Sequence, residues 1–226
     1  MEIGIFGATG VIGGRAVAEA TRRGHRVTAF SRDASRFPGE RGNVAWQVAD
    51  WLDADSIADA IGGLDMVISA VNAGHGIADT ITNAQRFVVG AEAMVSALAR
   101  HPRTRVIAVG GAGSLEVSPG LQLVDTGAAF IRTLTEDLAV PAEYVEVVRA
   151  LRSALHVYRL SNRHWTYVSP SSGRIEPGER TGRFRVGGDQ LLIGGAGDLS
   201  AEDLAVALLD EVEQPRFLQR RFTVGY

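Results

Sequence analysis

Apolar positions along this chain keep two alternating rhythms. Short unbroken runs, such as Ile3-Gly4-Ile5-Phe6 and Met66-Val67-Ile68, are bounded by turn or charged residues and predict buried strands. Between them, apolar residues recur at three- and four-residue intervals, the spacing of one helix face. Strands are predicted over 2–6, 26–30, 44–48, 65–71, 105–109, 165–168 and 221–226. Ala84, Phe87, Val88, Ala91, Val95 and Leu98 mark a long amphipathic helix. Tyr144, Val148, Leu151, Leu155 and Tyr158 mark another, which Pro141 can open. Asp53 suits the cap of a short helix reaching Ile61, and Ser200-Ala201-Glu202-Asp203 forms a capping-box pattern ahead of Leu204, Leu208 and Val212. Strands alternating with helices predict an α/β fold, a Rossmann-type doubly wound parallel sheet in a single domain over 1–226. The glycine- and arginine-rich stretch 171–197 is expected to form a small substrate-side appendage.

The first strand runs at once into Gly7-Ala8-Thr9-Gly10-Val11-Ile12-Gly13, and a helical pattern follows from Arg15. A strand, a glycine turn and a helix in that order make a nucleotide site. The glycines allow the turn and the close approach of a diphosphate, while the amino end of the helix offers free N–H groups and a positive dipole. The spacing is G-x-x-G-x-x-G, which resembles the extended and atypical branches of the short-chain dehydrogenase/reductase superfamily. That resemblance implies phosphates lying against residues 9–12, with Gly13 and Gly14 letting helix and strand pack closely.

Composition narrows the classes. The net charge is −3 without a run of like charges, which argues against a nucleic-acid footprint. No apolar stretch is long enough to span a membrane, and a strand beginning at residue 2 leaves no room for a signal peptide, so a cytoplasmic protein is expected. Zero cysteines exclude disulfides, thiolate metal sites and cysteine nucleophiles. All 23 Lys-or-Arg positions are arginine. No Tyr-x-x-x-Lys pair, Schiff-base lysine or P-loop lysine can therefore exist. His101, His156 and His164 have no metal-site spacing, and no metal is expected.

Cofactor choice falls on the tip of the second strand. An acid there would grip the ribose hydroxyls of NAD, whereas a cation suits the 2′-phosphate of NADP. The chain has Ser31-Arg32, with Asp33 one position on and Arg36 a turn further, so NADP(H) is preferred and NAD(H) remains admissible. Ala70, Val71 and Asn72 would pass beside the riboses, Asn72 either bonding a hydroxyl or shaping a turn. His75, on a loop at the carboxyl edge of the sheet, could act as an acid, contact substrate or be a surface residue. The superfamily resemblance implies an adenine contact for Asp50, against which stands a plain helix-start aspartate. It also implies a carbonyl-polarising role for Ser114, the one candidate catalytic residue, against which stands a turn serine.

A narrower resemblance rests on Val109-Gly110-Gly111-Ala112-Gly113-Ser114-Leu115, Trp165-Thr166-Tyr167-Val168-Ser169-Pro170, Pro177-Gly178-Glu179-Arg180-Thr181-Gly182 and Arg221-Phe222-Thr223-Val224. With the glycine turn, these segments are similar to the NmrA-like and NADH-flavin reductase-like branch of the atypical short-chain family. The resemblance implies Ser169 and Pro170 against the nicotinamide, and it is poorest over 121–161. It implies an NADPH-dependent reductase that passes hydride to a planar conjugated small molecule of flavin, quinone or bilin type. Such an acceptor needs alignment more than a strong protein acid. An NmrA-like NADP(H) sensor without turnover is the competing class, and a nucleotide-sugar epimerase or dehydratase a third. A small-molecule partner, no nucleic acid, no membrane, and a monomer or homodimer complete the expectation.

Overall fold

The computed structural model describes residues 1–39, 42–171, 173–194 and 198–226. In chain order the strands are β1 (Glu2–Phe6), β2 (Arg26–Ser31), β3 (Ala45–Val48), β4 (Met66–Ser69), β5 (Arg105–Val109), β6 (Glu116–Ser118), β7 (Leu121–Gln122), β8 (Trp165–Pro170), β9 (Ile175–Glu176), β10 (Arg185–Gly187), β11 (Leu199–Ser200) and β12 (Arg220–Gly225). The α-helices are α1 (Val11–Arg22), α2 (Ala54–Ala60), α3 (Ile77–Thr82), α4 (Arg86–Arg100), α5 (Ala128–Arg132), α6 (Val145–Arg159) and α7 (Ala201–Glu213).

The main sheet has eight strands in the order β10-β12-β8-β5-β4-β1-β2-β3. All neighbours are parallel except β10, which runs against β12. Side chains alternate across the strands as the pleat requires. Ile3, Ile5, Met66, Ile68 and Ile107 face Ala16 and Ala20 of α1 and Leu204 and Leu208 of α7. Phe6, Val67, Val106, Trp165 and Tyr167 face α2, α4 and α6 through Ala58, Met94, Leu98, Ala154 and Leu155. Both faces are covered, which is why the central strands read as continuous apolar runs.

Several elements depart from the periodic reading. β4 stops at Ser69, so Ala70 and Val71 leave the sheet at its carboxyl edge. Helix α6 divides its apolar residues: Val147, Ala150 and Ala154 enter the core, whereas Tyr144, Val148 and Leu151 form a half-buried stripe. The poorly matching stretch, 121–161, begins with β7, which pairs with β6 just ahead of it, and goes on through α5, a π-helical turn at Thr133–Asp137 and α6. Val124, Phe130 and Leu134 make a small core of their own there, packed against Tyr144 and Val148.

The segment 171–197 has two tasks, and only its first part, Ser171 and 173–176, lines a cleft; Ser172 and residues 195–197 lie outside the described residues. β9 pairs with β11 beside the sheet edge. Further on, Arg180 crosses to α1 and places Nε and Nη2 each 2.9 Å from the Glu19 carboxylate. Arg22 and Arg23 bind the same carboxylate. Thr181 Oγ1 and the Gly182 amide donate to Asp203 at 2.5 and 2.7 Å. The family-like Gly-Glu-Arg-Thr-Gly sequence is thus a clasp over α1 and α7.

Candidate functional site

A cleft of about 1010 Å³ opens over the carboxyl ends of β1, β2, β4, β5 and β8. Strand order reverses between β1 and β4, and ligands of open α/β sheets bind at such a switch point. Gly7, Thr9, Gly10, Val11, Ile12, Ser31, Arg32, Ala70, Val71, Asn72 and Pro170 line the cleft. Gly7 turns with a φ of +77°, and a Cβ there would stand 2.3 Å from the Ala70 carbonyl oxygen. Helix α1 starts behind it with no side-chain cap and no acid in its first turn. Helix α7 offers the contrast: Ser200 caps it, and Glu202 and Asp203 occupy its first turn. The bare, dipole-positive end of α1 therefore suits an anion.

At the tip of β2 the Asp33 carboxylate turns back to accept the Ser35 amide at 2.8 Å. Hydrogen bonding from Ser35, with Arg36 nearby, holds its carboxyl below the usual range. Ser31 Oγ is engaged with the Asp33 main chain. Arg32 and Arg36 both line the cleft, and among the described residues neither forms a salt bridge. With the Asp33 carboxylate engaged by its own turn, Arg32 and Arg36 put two cations without salt bridges among the described residues on the cleft lining, a donor set suited to an anion. The donors present thus fit a phosphorylated dinucleotide.

Four candidates lie off this lining. Gly13 is packed beneath the turn. Asp50 accepts the Leu52 amide at 3.0 Å and shapes the start of the loop to α2, while its neighbour Trp51 lines the cleft instead. Ser169 is fully buried, its hydroxyl without a partner among the described residues. Ser114 is 4% exposed, and its Oγ accepts Nη1 of Arg221 at 2.8 Å. The same Nη1 also bonds the Ser114 carbonyl, while Nε and Nη2 hold Asp189. Burial pulls the Arg221 pKa down and Asp189 opposes it. Here Ser114 braces a buried arginine, off the cleft lining. Ser114→Ala is expected to cost about 1.5–3 kcal/mol in unfolding free energy, the range for a bond to a charged group. Cofactor affinity should not change, as paired denaturant melts and nucleotide titrations would report.

Asn72 reaches the cleft, but its amide is spent on Gly74, Thr80 and the Ala73 N–H, so it shapes the turn. The His75 side chain is exposed at the rim. Spacing missed the wall opposite: Phe130, Leu134, Leu138, Tyr144, Val148, Leu151 and, at the mouth, Arg174. The Tyr144-Val148-Leu151 periodicity was visible, though not which way it faced. Tyr144 alone among the four tyrosines lines the cleft, and burial pushes its phenol pKa up, so it keeps its proton at neutral pH.

Residues 7–215 match the profile of a family described as NAD(P)H-binding. The chain belongs to that NAD(P)H-binding family. The bare helix end and the glycine turn lie within the matched span, in an oxidoreductase-type Rossmann fold. The chain is 33% identical to YwnB of Bacillus subtilis strain 168, over 99% of this chain and 98% of that one. A solved structure from Burkholderia pseudomallei, named "putative exported protein", is 42% identical over 100% of both chains, with a TM-score of 0.82. Another, from Streptococcus pneumoniae TIGR4, named "putative NADH-flavin reductase", is 27% identical over 99% of this chain and 98% of that one, with a TM-score of 0.79. Among the described residues no helix is long and apolar enough to cross a membrane.

Proposed function

We propose that the chain is an NADPH-dependent reductase of planar conjugated small molecules of flavin, quinone or bilin type. The observation that carries the cofactor half is the pair Arg32 and Arg36, on the cleft lining and without a salt bridge among the described residues, while Asp33 is tied to its own turn. The amides at the start of α1 would hold the diphosphate, and the two arginines the 2′-phosphate. Bound NADPH supplies the hydride. Ala70 and Val71, and Pro170 beside the nicotinamide, would set the dinucleotide in register along the strand ends. The acceptor half rests on the apolar wall of Phe130, Leu134, Val148 and Leu151, which favours a flat hydrophobic ring system. Tyr144, keeping its proton, gives that wall one hydroxyl. With no lysine in the chain, no relay recharges this phenol, and water at the open mouth supplies protons.

Replacing Arg32 with alanine should weaken NADPH binding by about 1.5–3 kcal/mol, roughly 10- to 100-fold, and leave NADH binding nearly as it was. Calorimetric titration of both nucleotides reads the difference; equal losses would mean that Arg32 does not contact the 2′-phosphate. The sensor reading has one observation in its favour: Ser114 is withdrawn beneath Arg221, so no serine serves the end of β5. NADPH oxidation with flavin, quinone and bilin acceptors separates the two, since a sensor binds both nucleotide forms without turnover.

A further inference from the structure

We infer that the acceptor site selects molecules bearing an anionic group, a phosphate or a carboxylate, which Arg174 reads at the mouth of the cleft. This deepens the reductase reading and rests on it. The cleft lining holds three arginines and a single carboxylate among the described residues. Arg32 and Arg36 stand at the β2 end, where the dinucleotide needs them. Arg174 stands at the other end, opposite Leu138 and beyond the end of β8.

Its main chain is fixed. The Arg174 amide donates to Asp198 Oδ1 at 2.8 Å, and its carbonyl accepts the Leu199 amide at 3.0 Å. Its head is not. Nη2 donates to the Leu138 carbonyl across the mouth at 3.2 Å, and Nη1 lies 3.9 Å from Glu176 Oε1, beyond hydrogen-bond range. The side chain stays 44% exposed. A guanidinium has five N–H donors in a planar fork matched to carboxylate and phosphate oxygens. Among the described residues one is engaged, so an anchored backbone presents a largely unspent fork. The wall beneath it is apolar. A ligand filling both features has a flat hydrophobic body against Val148 and Leu151 and an anion reaching outward. Glu176, 62% exposed beside the fork, opposes that anion.

The test uses acceptors paired to differ only in charge. FMN and riboflavin share one ring system and differ by a phosphate; biliverdin and its dimethyl ester differ by carboxylates. Binding is read by fluorescence quenching for the flavins and by absorbance for the bilins. The protein is preloaded with NADP+, so that Arg32 and Arg36 are not open to the probe. The charged member of at least one pair should bind about tenfold or more tightly than its neutral partner. The preferred pair tells phosphate from carboxylate. Arg174→Ala should erase the preference without changing affinity for the neutral partner, and Glu176→Gln should enlarge it. Melting temperature and NADP+ affinity should be unchanged in both variants. Equal binding within both pairs, no binding by any of the four, or an Arg174→Ala loss shared equally by charged and neutral members would overturn the inference. An intact anion preference without hydride transfer from NADPH would sink the reductase reading alone.

Discussion

Gly13→Ala should cost about 3 kcal/mol or more in stability and at least about 100-fold in dinucleotide affinity, above the usual range for an added core methyl. The added Cβ would stand 2.1 Å from the Gly7 carbonyl oxygen, 2.6 Å from its carbon and 3.0 Å from Ala8 Cα. All three are main-chain atoms of the phosphate turn, so no side-chain rotation relieves the contact. The turn itself must move, and with it the bare end of α1. Gly14→Ala is the control. Its Cβ would meet only the Ala8 oxygen, at 3.4 Å, an ordinary contact. Inside a helix that exchange gains up to about 1 kcal/mol. Thermal melts of the two variants, one methyl each, should therefore move in opposite directions, and NADPH titrations should show a loss for Gly13→Ala alone. Parallel behaviour would remove Gly13 as the point of closest packing between α1 and the turn.

Glu19→Gln should destabilise the protein by about 2–4 kcal/mol at neutral pH. Glu19 is a buried carboxylate serving three arginines, Arg180 from the appendage and Arg22 and Arg23 from its own helix. Breaking a buried pair by removing one partner costs ~3–5 kcal/mol. The value here is lower because Arg22 and Arg180 still reach water. Hydrogen bonds from Arg180 and then Arg22 hold the Glu19 carboxyl well below the ordinary range. With the folded pKa depressed, its stabilisation is fully present above the unfolded value of ~4.3 and is lost as pH falls toward the folded one. The gap between wild type and variant should be flat from about pH 8 to about pH 5 and close below about pH 4. A gap that persists undiminished in acid would mean that charge is not what the clasp uses. The same variant should loosen the 177–182 segment, measurable as faster amide exchange at Gly182, whose amide bonds Asp203.

Much of the architecture was legible because it is local. The strand, glycine turn and helix at the start occupy consecutive residues, and the pattern changes from an unbroken apolar run to a 3.6-residue period within one short stretch. Eleven residues inferred to touch a dinucleotide do line the cleft, because strand ends and the loops after them converge on one sheet edge whatever the detailed packing. Asp50 and Ser114 went elsewhere for reasons no spacing reveals. An aspartate two residues before a free amide finds that amide first. A serine below a buried arginine is claimed by it.

The sequence by itself determined the doubly wound sheet, the anion-ready amino end of α1, the cation at the tip of β2 and the absence of any lysine relay. Periodicity, turn chemistry and composition are properties of neighbouring residues. Only the tertiary structure decided that Gly13 is intolerant of a methyl while Gly14 is not, that Arg221 takes Ser114, that Arg180 closes on Glu19, and that Arg174 reaches toward Leu138. The last three contacts join residues 107, 161 and 36 positions apart. Such pairings depend on how the layers stack, and a one-dimensional pattern holds no distance between residues that distant along the chain.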